Sequence, residues 1–281
     1  MPSVVLETSK RLARLRDLCA GDGRRLDLLE AALALSALRS GEAVDLSPFR
    51  QQVTAMSNAL ADLVRRRGAA PESLAEVIAQ SYAYRGDSET YDDLQNADLA
   101  RVIERRKGLP VALSILYLQV ARAQGWDAEG LAFPGHFLIR VEIDGARHVI
   151  DPFHDGCVRD ASDLRDLLRQ VLGPTAELHS AHFDPVFDRD VLLRLENNIR
   201  LRLAKREEWA GAAQSLDRML AIAPDRPELL FEAGQLNSRL DKRRAAIAAF
   251  ERFLHVDGGT GDPELRRHAT TLLQELRRGL N

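Results

Sequence analysis

Residues 136–151 restrict the fold more than any other part of the sequence. Apolar and polar residues alternate through 136–143 and again through 146–151, and Asp144-Gly145 stands between the two runs. Alternation indicates a strand with one buried face, and Asp-Gly between two such runs favours a two-residue hairpin turn. The sequence therefore predicts an antiparallel hairpin in which Ile143 lies opposite Ala146, Val141 opposite His148, and Ile139 opposite Ile150.

The same register brings a histidine and a carboxylate together. His136 falls opposite Phe153, so Asp151 is its diagonal neighbour, and diagonal neighbours lie about 7–8 Å apart. We predict that the Cβ atoms of His136 and Asp151 lie within about 10 Å of each other. Glu142 and Arg147 should form an ion pair on this face. The other face is predicted to be the core face, with Phe137, Ile139, Val141, Ile143, Ala146 and Ile150.

Most of the remaining sequence has a helical pattern. Residues 108–125 predict a helix with Pro110 in its first turn and Gly125 just after its end. Apolar residues lie all round this helix, so we expect it to be central and buried. The polar stretch 83–99 is predicted to be a functional loop. Apolar spacing or composition predicts further helices over 26–38, 48–67, 72–82 and 97–106.

The C-terminal part of the sequence repeats with a period of 34 residues. Aligning 193–226 with 227–260 places small residues and bulky residues in matching positions, as in tetratricopeptide-like helix pairs. Arg200 is an exception, since the pattern has a small residue at its position. Two helix pairs are therefore predicted, with Ala212, Gly234 and Ala246 at close helix crossings.

Composition and charge exclude several classes of protein. With 45% hydrophobic and 29% charged residues, the chain is neither disordered nor collagen-like. Lys and Arg total 39 against 42 for Asp and Glu, and no third of the chain is strongly basic, so we expect no nucleic-acid partner. No apolar stretch reaches 18 residues and the N-terminus lacks the pattern of a signal peptide, so we expect no membrane association. Cys19 and Cys157 form no disulfide framework, and we expect a cytoplasmic protein.

Three separated motifs occur in order between residues 105 and 153, namely RRKGLPVALSILYLQVARAQG, FPGHFLIR and IDPF. In this combination the chain resembles the SirB1 family, most specifically from about Tyr82 to Gly156. Members pair a transglutaminase-like, papain-related core with C-terminal tetratricopeptide-like helices. The resemblance implies an α+β fold that is mainly helical with a small antiparallel sheet. We expect an N-terminal helical lobe at 1–82, the core at 83–189 and the helical repeats at 190–281.

The resemblance also implies a catalytic site without its nucleophile. In a transglutaminase-like core a cysteine opens the buried helix, a histidine activates it, and an aspartate orients the histidine. His136 and Asp151 match the motif positions of that histidine and aspartate. Leu109, Pro110 and Val111 stand at the helix start, and none of them can attack a carbonyl. The family resemblance thus implies a non-catalytic protein that binds, scaffolds or regulates.

Several interpretations of the site stay open on the sequence alone. The His136–Asp151 pair can be a structural hydrogen bond, part of a retained binding cleft, or a catalytic dyad. As a dyad it would serve an amide or ester hydrolase or acyl transferase that uses Ser114 or Cys157 as the nucleophile. Ser114 can instead bond to a carbonyl of its own helix. The residues expected to line a cleft are Tyr84, Pro110, Ser114 and His136.

We expect no metal and no cofactor. His136 and His148 fall on opposite faces of the predicted hairpin, so a tetrahedral site shared with His154 and Cys157 is disfavoured. The expected partner is another protein, bound through the tetratricopeptide-like region.

Overall fold

The computed structural model describes residues 2–41, 44–256 and 262–278. The chain forms two compact units, residues 1–195 and residues 196–281. The second unit begins inside a helix, α8 (Asp188–Lys205). The finer division at 82/83 and 189/190 stays a prediction.

The first unit is mainly helical, and each helix predicted within it is present. One of them changes its hydrogen-bond pattern, since α4 continues as a π-helix over Glu76–Ser81. Short 3-10 turns cover Leu94–Ala97 and Ser180–Phe183. The helices are α1 (Pro2–Leu18), α2 (Leu28–Ser40), α3 (Ser47–Arg67), α4 (Glu72–Ala75), α5 (Leu99–Arg105), α6 (Pro110–Arg122) and α7 (Ala161–Leu172).

Two sheets belong to the first unit. A two-stranded parallel sheet joins β1 (Arg85–Gly86) to β2 (Lys107–Gly108). A five-stranded antiparallel sheet has the order β6-β5-β4-β3-β7. Its strands are β3 (Asp127–Leu131), β4 (Leu138–Ile143), β5 (Ala146–Asp151), β6 (Cys157–Arg159) and β7 (Pro185–Val186).

The register predicted for the hairpin is confirmed. Ile143 pairs with Ala146, and the other two predicted pairs follow in step along β4 and β5. Asp144 and Gly145 both have positive φ, 51° and 80°, as a two-residue hairpin turn of this type requires. Glu142 and Arg147 form the predicted ion pair at 3.2 Å.

Helix α6 lies at the centre of the first unit, as predicted. Every residue from Pro110 to Leu118 is buried. Helices α2, α3 and α5 pack against α6, and strands β3 and β4 cover another side of it. Burial from several directions explains why this helix is apolar all round.

Both faces of the larger sheet are covered. The predicted core face is buried at Ile139, Val141 and Ile150, whereas Ala146 is exposed because it directly follows the hairpin turn. The other face has a second apolar cluster beneath α7, which includes Leu131, Phe133, Leu138, Leu164 and Leu168, with Val149 packed against it. The face that carries Asp151 is therefore enclosed by a helix.

Over its described residues, the second unit contains the end of α8 and four further helices. The two helix pairs predicted from the repeat are present over the described residues, whereas 257–260 lie outside them. Of the three residues predicted at close helix crossings, Ala212 and Ala246 are buried, and a Cβ at Gly234 would come within 2.5 Å of the Phe250 ring. Arg200, which departs from the repeat pattern, forms an ion pair with Glu232. The helices are α9 (Trp209–Ile222), α10 (Pro227–Arg239), α11 (Arg243–Val256) and α12 (Pro263–Arg278).

None of the described helices is both long enough and apolar enough to cross a membrane.

Candidate functional site

His136 and Asp151 meet at one end of the β4–β5 hairpin. His136 lies two residues before β4, and Asp151 is the last residue of β5. The distance from Nε2 of His136 to Oδ1 of Asp151 is 2.8 Å, which is that of a hydrogen bond. The strand register predicted from the sequence therefore does bring these two side chains together. In the neutral ring this contact leaves Nδ1 as the nitrogen available to another group.

Asp151 accepts hydrogen bonds from both sides of its carboxylate. Its side chain is wholly buried. Oδ1 also accepts from the backbone N–H groups of Phe153 at 3.2 Å and His154 at 3.3 Å. Oδ2 contacts Nδ1 of His154 at 2.8 Å and accepts from Nη2 of Arg159 at 2.9 Å. The carboxylate is thus fixed by the turn that follows β5 and by β6.

These contacts decide the ionisation state of Asp151. Burial by itself would raise the pKa of the carboxyl, because a low dielectric disfavours the charged form. The hydrogen bond and charge of His136, followed by those of His154, more than offset this effect and hold the pKa of Asp151 well below its usual range. Asp151 is therefore a carboxylate at neutral pH.

His154 and Arg159 were not expected to be partners of Asp151. The imidazole of His154 lies 5.5 Å from that of His136 between ring centroids, and its side chain is 50% exposed. Arg159 reaches Asp151 because β6 pairs with β5, placing Arg159 opposite Val149 on the same face. β6 has three residues, too few to show periodicity. The sequence Asp-Pro-Phe-His, which begins at Asp151, was the one signal of these contacts. An aspartate often accepts hydrogen bonds from the backbone N–H groups two and three residues further along the chain.

The two alternative nucleophiles do not contact His136. Ser114 is wholly buried, and within the described residues its Oγ has neither the expected helix carbonyl nor a histidine as partner. Cys157 pairs with Asp151 across the strands but makes no hydrogen bond to an imidazole of the described chain. Burial raises the pKa of the Cys157 thiol, and nearby Arg159 offsets this only in part. Neither group is activated as a nucleophile needs to be.

Three of the four residues expected to line a cleft, Tyr84, Pro110 and Ser114, are buried. Tyr84 is 1% exposed, and its hydroxyl donates to the carbonyl of Ile103 at 3.4 Å. Burial also raises the pKa of Tyr84 to about 12. Pro110 and Ser114 are buried with the rest of α6. His136, with 11% of its side chain exposed, is the member of the four that reaches the surface.

Aromatic rings form the rim around His136 and His154. The ring of Phe153 packs edge-on against both imidazoles, with centroid distances of 6.2 and 5.4 Å. Tyr91 packs against Phe153 at 5.9 Å and is 45% exposed. The segment 83–99, predicted to be a functional loop, thus contributes a side chain to this rim.

The segment 83–99 is held in place by a second buried carboxylate, Asp87. Asp87 accepts from the backbone N–H of Thr90 at 3.0 Å and from its hydroxyl at 2.6 Å. Arg105 and Lys107 each approach Oδ2 of Asp87 to 3.2 Å. This network, together with the β1–β2 pairing, orders a segment that looked like a plain loop in the sequence.

One group of side chains has the composition of a metal site. His136, Asp151 and His154 each offer a ligand atom, and these atoms lie within 4.8 Å of one another. The prediction that no metal site forms depended on His148, which pairs with Val141 on the other face and is not part of this group. His154 joins His136 because the turn after β5 folds back onto Asp151. The described chain therefore contains a two-histidine, one-carboxylate cluster.

Comparison with known proteins agrees with this architecture. A model of the transglutaminase-like superfamily matches residues 47–197, which is more than half of the chain, and a tetratricopeptide repeat model matches residues 199–274. The chain belongs to the transglutaminase-like superfamily. The repeat match falls on the helices of the second unit, so a transglutaminase-like domain is followed by tetratricopeptide-like helices.

The relatives place the chain in a SirB1-like family. The UPF0162 protein of Xylella fastidiosa is 33% identical over 202 residues, covering 70% of this chain and 72% of that protein. The UPF0162 protein of Vibrio cholerae is 28% identical over 241 residues, covering 85% and 89%. Protein SirB1 of Salmonella typhimurium is 22% identical over 187 residues, covering 65% and 69%. The family resemblance expected from the three motifs is thus confirmed.

Proposed function

We propose that this protein is a non-catalytic transglutaminase-like protein that binds another protein and acts as a scaffold or regulator. One observation carries the proposal: the start of α6, where a transglutaminase-like enzyme needs its thiol, holds Leu109, Pro110 and Val111, all of them buried. Pro110 also lacks the backbone N–H that could stabilise an oxyanion. We expect the protein to act in the cytoplasm, where free thiols such as Cys19 and Cys157 are stable.

The geometry around His136 supports the absence of covalent catalysis. A thiol or hydroxyl nucleophile needs a base within hydrogen-bond reach. Asp151 occupies Nε2 of His136, and no hydroxyl or thiol of the described residues bonds to Nδ1. The alternative function, an amide or ester hydrolase or acyl transferase using Ser114 or Cys157, has no contact in its favour.

The second unit supports a binding role. Tetratricopeptide-like helix pairs stack into surfaces that commonly bind other proteins. Leu201, in the part of α8 that belongs to this unit, is 52% exposed and is therefore accessible to a partner. We propose that the partner contacts the repeat unit at this exposed face of α8.

Capture of partners from native lysate by crosslinking tests the binding role. The full chain is the bait, Leu201→Asp is the test variant, and Leu6→Asp is the matched control because Leu6 is 59% exposed in the first unit. We expect a protein that the wild type and Leu6→Asp capture equally and that Leu201→Asp loses. Equal capture by all three baits would contradict the role of this face.

An activity assay tests the absence of catalysis. Purified wild type and Cys157→Ala are incubated with glutamine-amide, peptide and ester substrates, and we expect no turnover by either. Turnover that is abolished by alkylation of Cys157, or by His136→Ala, would move the protein into the enzyme class.

A further inference from the structure

We propose that His136, Asp151 and His154 bind a divalent transition-metal ion, with Zn²⁺ as the reference ion. This inference does not depend on the proposed function. It starts from the cluster already described, in which one atom from each side chain lies within 4.8 Å of the others. Two imidazoles and one carboxylate are a ligand set that first-row divalent ions use in proteins.

The three ligand atoms are close enough together to contact one ion. Each imidazole already has one nitrogen 2.8 Å from a carboxylate oxygen of Asp151. Zinc bonds to nitrogen and oxygen are about 2.0–2.2 Å, so ligand atoms around a tetrahedral ion lie about 3.3 Å apart. An ion would therefore open these two contacts by about half an ångström. His154 is the member that can move, because half of its side chain is exposed.

Asp151 is held as a ligating carboxylate is usually held. Ligands of metal sites are oriented by a second layer of hydrogen bonds. The backbone N–H groups of Phe153 and His154 already fix Oδ1, and Arg159 fixes Oδ2. These bonds keep the buried carboxylate in place without using either imidazole.

The positive charge of Arg159 opposes cation binding but does not block it. Arg159 contacts Oδ2 through both Nε and Nη2, and neither nitrogen contacts Oδ1. An ion bound by Oδ1, Nε2 of His136 and Nδ1 of His154 therefore leaves the arginine pair in place. Oδ1 of Asp151 then binds the ion, and Oδ2 stays paired with the guanidinium.

The cluster can be reached by an ion and by a further ligand. His154 is half exposed, whereas His136 and Asp151 are almost or wholly buried. Phe153 packs against both imidazoles and covers one side. Three protein ligands with one solvent-facing side leave a coordination position for water or an incoming anion, as in open zinc sites.

Metal binding to the full-length chain tests the proposal. Chelator-treated protein is dialysed against Zn²⁺ at neutral pH and bound metal is quantified, and Co²⁺ is added in parallel to record its visible absorption. We expect about one equivalent per chain, and an affinity lowered about tenfold or more in His154→Gln. The exposure of His154 keeps this variant folded, which metal-free thermal unfolding checks. His136→Gln is the second test variant.

Two controls separate this cluster from other histidines. His148→Gln removes a half-buried imidazole on the other face of the same strands. His179→Gln with His182→Gln removes a pair of imidazoles, exposed and half-buried, whose ring centroids lie 5.5 Å apart. We expect both controls to bind metal as the wild type does. The proposal is overturned if the wild type binds no metal, if both test variants bind it unchanged, or if only the His179/His182 variant loses it.

Discussion

Two buried carboxylates, Asp151 and Asp87, are matched by donors within the first unit. Asp87 is 2% exposed and accepts from Thr90, while Arg105 and Lys107 supply positive charge. Burial would raise the pKa of Asp87, but the hydrogen bonds from Thr90 and then from Lys107 lower it well below its usual range. Each carboxylate ties a polar segment to the core, since an unmatched buried charge would be too costly to keep.

Asp87→Asn should destabilise the protein most at neutral pH. The folded pKa of Asp87 is lower than its unfolded value of about 3.9, so the carboxylate contributes fully above that value. The contribution is lost as the pH falls from there towards the folded pKa. We expect a decrease of about 1–3 kcal/mol in the unfolding free energy at pH 7, shrinking below about pH 4. Denaturant unfolding at several pH values measures it.

The matched control for this substitution is Asp62→Asn. Asp62 pairs with Arg65, but its side chain is 57% exposed. Exposed pairs contribute about 0–1 kcal/mol, so this variant should follow the wild type at every pH. Equal losses of unfolding free energy in the two variants would show that Asp87 stabilises the protein no more than an exposed ion pair does.

Gly156→Ala should disturb the turn that carries the candidate site. Gly156 has a φ of 71°, and an added Cβ would overlap the hydroxyl of Tyr117, which is itself buried. Gly145→Ala is the control, because its φ is 80° but no atom lies within 4 Å of the added Cβ. We expect Gly156→Ala to lower the unfolding free energy by about 1–3 kcal/mol more than the control does. Thermal or denaturant unfolding of both variants measures this difference. Similar losses of unfolding free energy in the two variants would mean that Tyr117 moves aside without an energetic cost.

At the scale of single elements, the sequence predicted the helices and strands whose pattern is contained within their own residues. Asp144-Gly145 and the alternation beside it were enough for the register of β4 and β5, and so for the His136–Asp151 contact. β3, β6 and β7 were missed because each is short or irregular, and their pairing depends on distant parts of the chain. Because β6 was not predicted, the contact of Arg159 with Asp151 was not predicted either.

The candidate site was predictable only where it depended on that hairpin. His154 was considered as a metal ligand but set aside together with His148, because His136 and His148 fall on opposite faces of the hairpin. The hairpin register says nothing about the turn beyond the strand, where His154 lies. Ser114 was placed in a cleft because it lies one turn inside the buried helix, and Tyr84 because it precedes a Gly-Asp turn. Their burial follows from tertiary packing around α6, which periodicity within one helix does not reveal.

Gly234→Ala should destabilise the α10–α11 crossing. Alanine favours helices by about 1 kcal/mol over glycine, so a gain would be expected if space allowed. An added Cβ at Gly234 would instead lie 2.5–2.6 Å from the buried ring of Phe250. Gly211→Ala in α9 is the control, since its Cβ would meet Leu203 at 3.3 Å or more. We expect a loss of about 1–3 kcal/mol at Gly234 relative to the control. Equal unfolding free energies would contradict this packing.

At the scale of the whole molecule, the chain is two compact units, residues 1–195 and 196–281. Helix α8 runs through the boundary between the units, since the second unit begins at Glu196 within that helix. A boundary within a continuous helix leaves no polar linker in the sequence. This is why composition alone could not locate it.

Destabilisation should stay within the unit where it is introduced. Gly234→Ala should speed amide hydrogen exchange in α10 and α11 while leaving α6 as protected as in the wild type, because separate compact units open separately. Gly156→Ala should show the opposite pattern. Peptide-level hydrogen exchange measures both variants. Loss of protection throughout the chain in either variant would show that it unfolds as a single cooperative unit.

The position of Asp151 has an evolutionary consequence. Its carboxylate fixes the turn after β5 and anchors Arg159 of β6, while His136 contributes one of several donors to it. A lineage that has lost its nucleophile would therefore tolerate drift at His136 far better than at Asp151. If descendants keep the aspartate, folding requires it. If they also keep the histidine, selection acts on ligand binding.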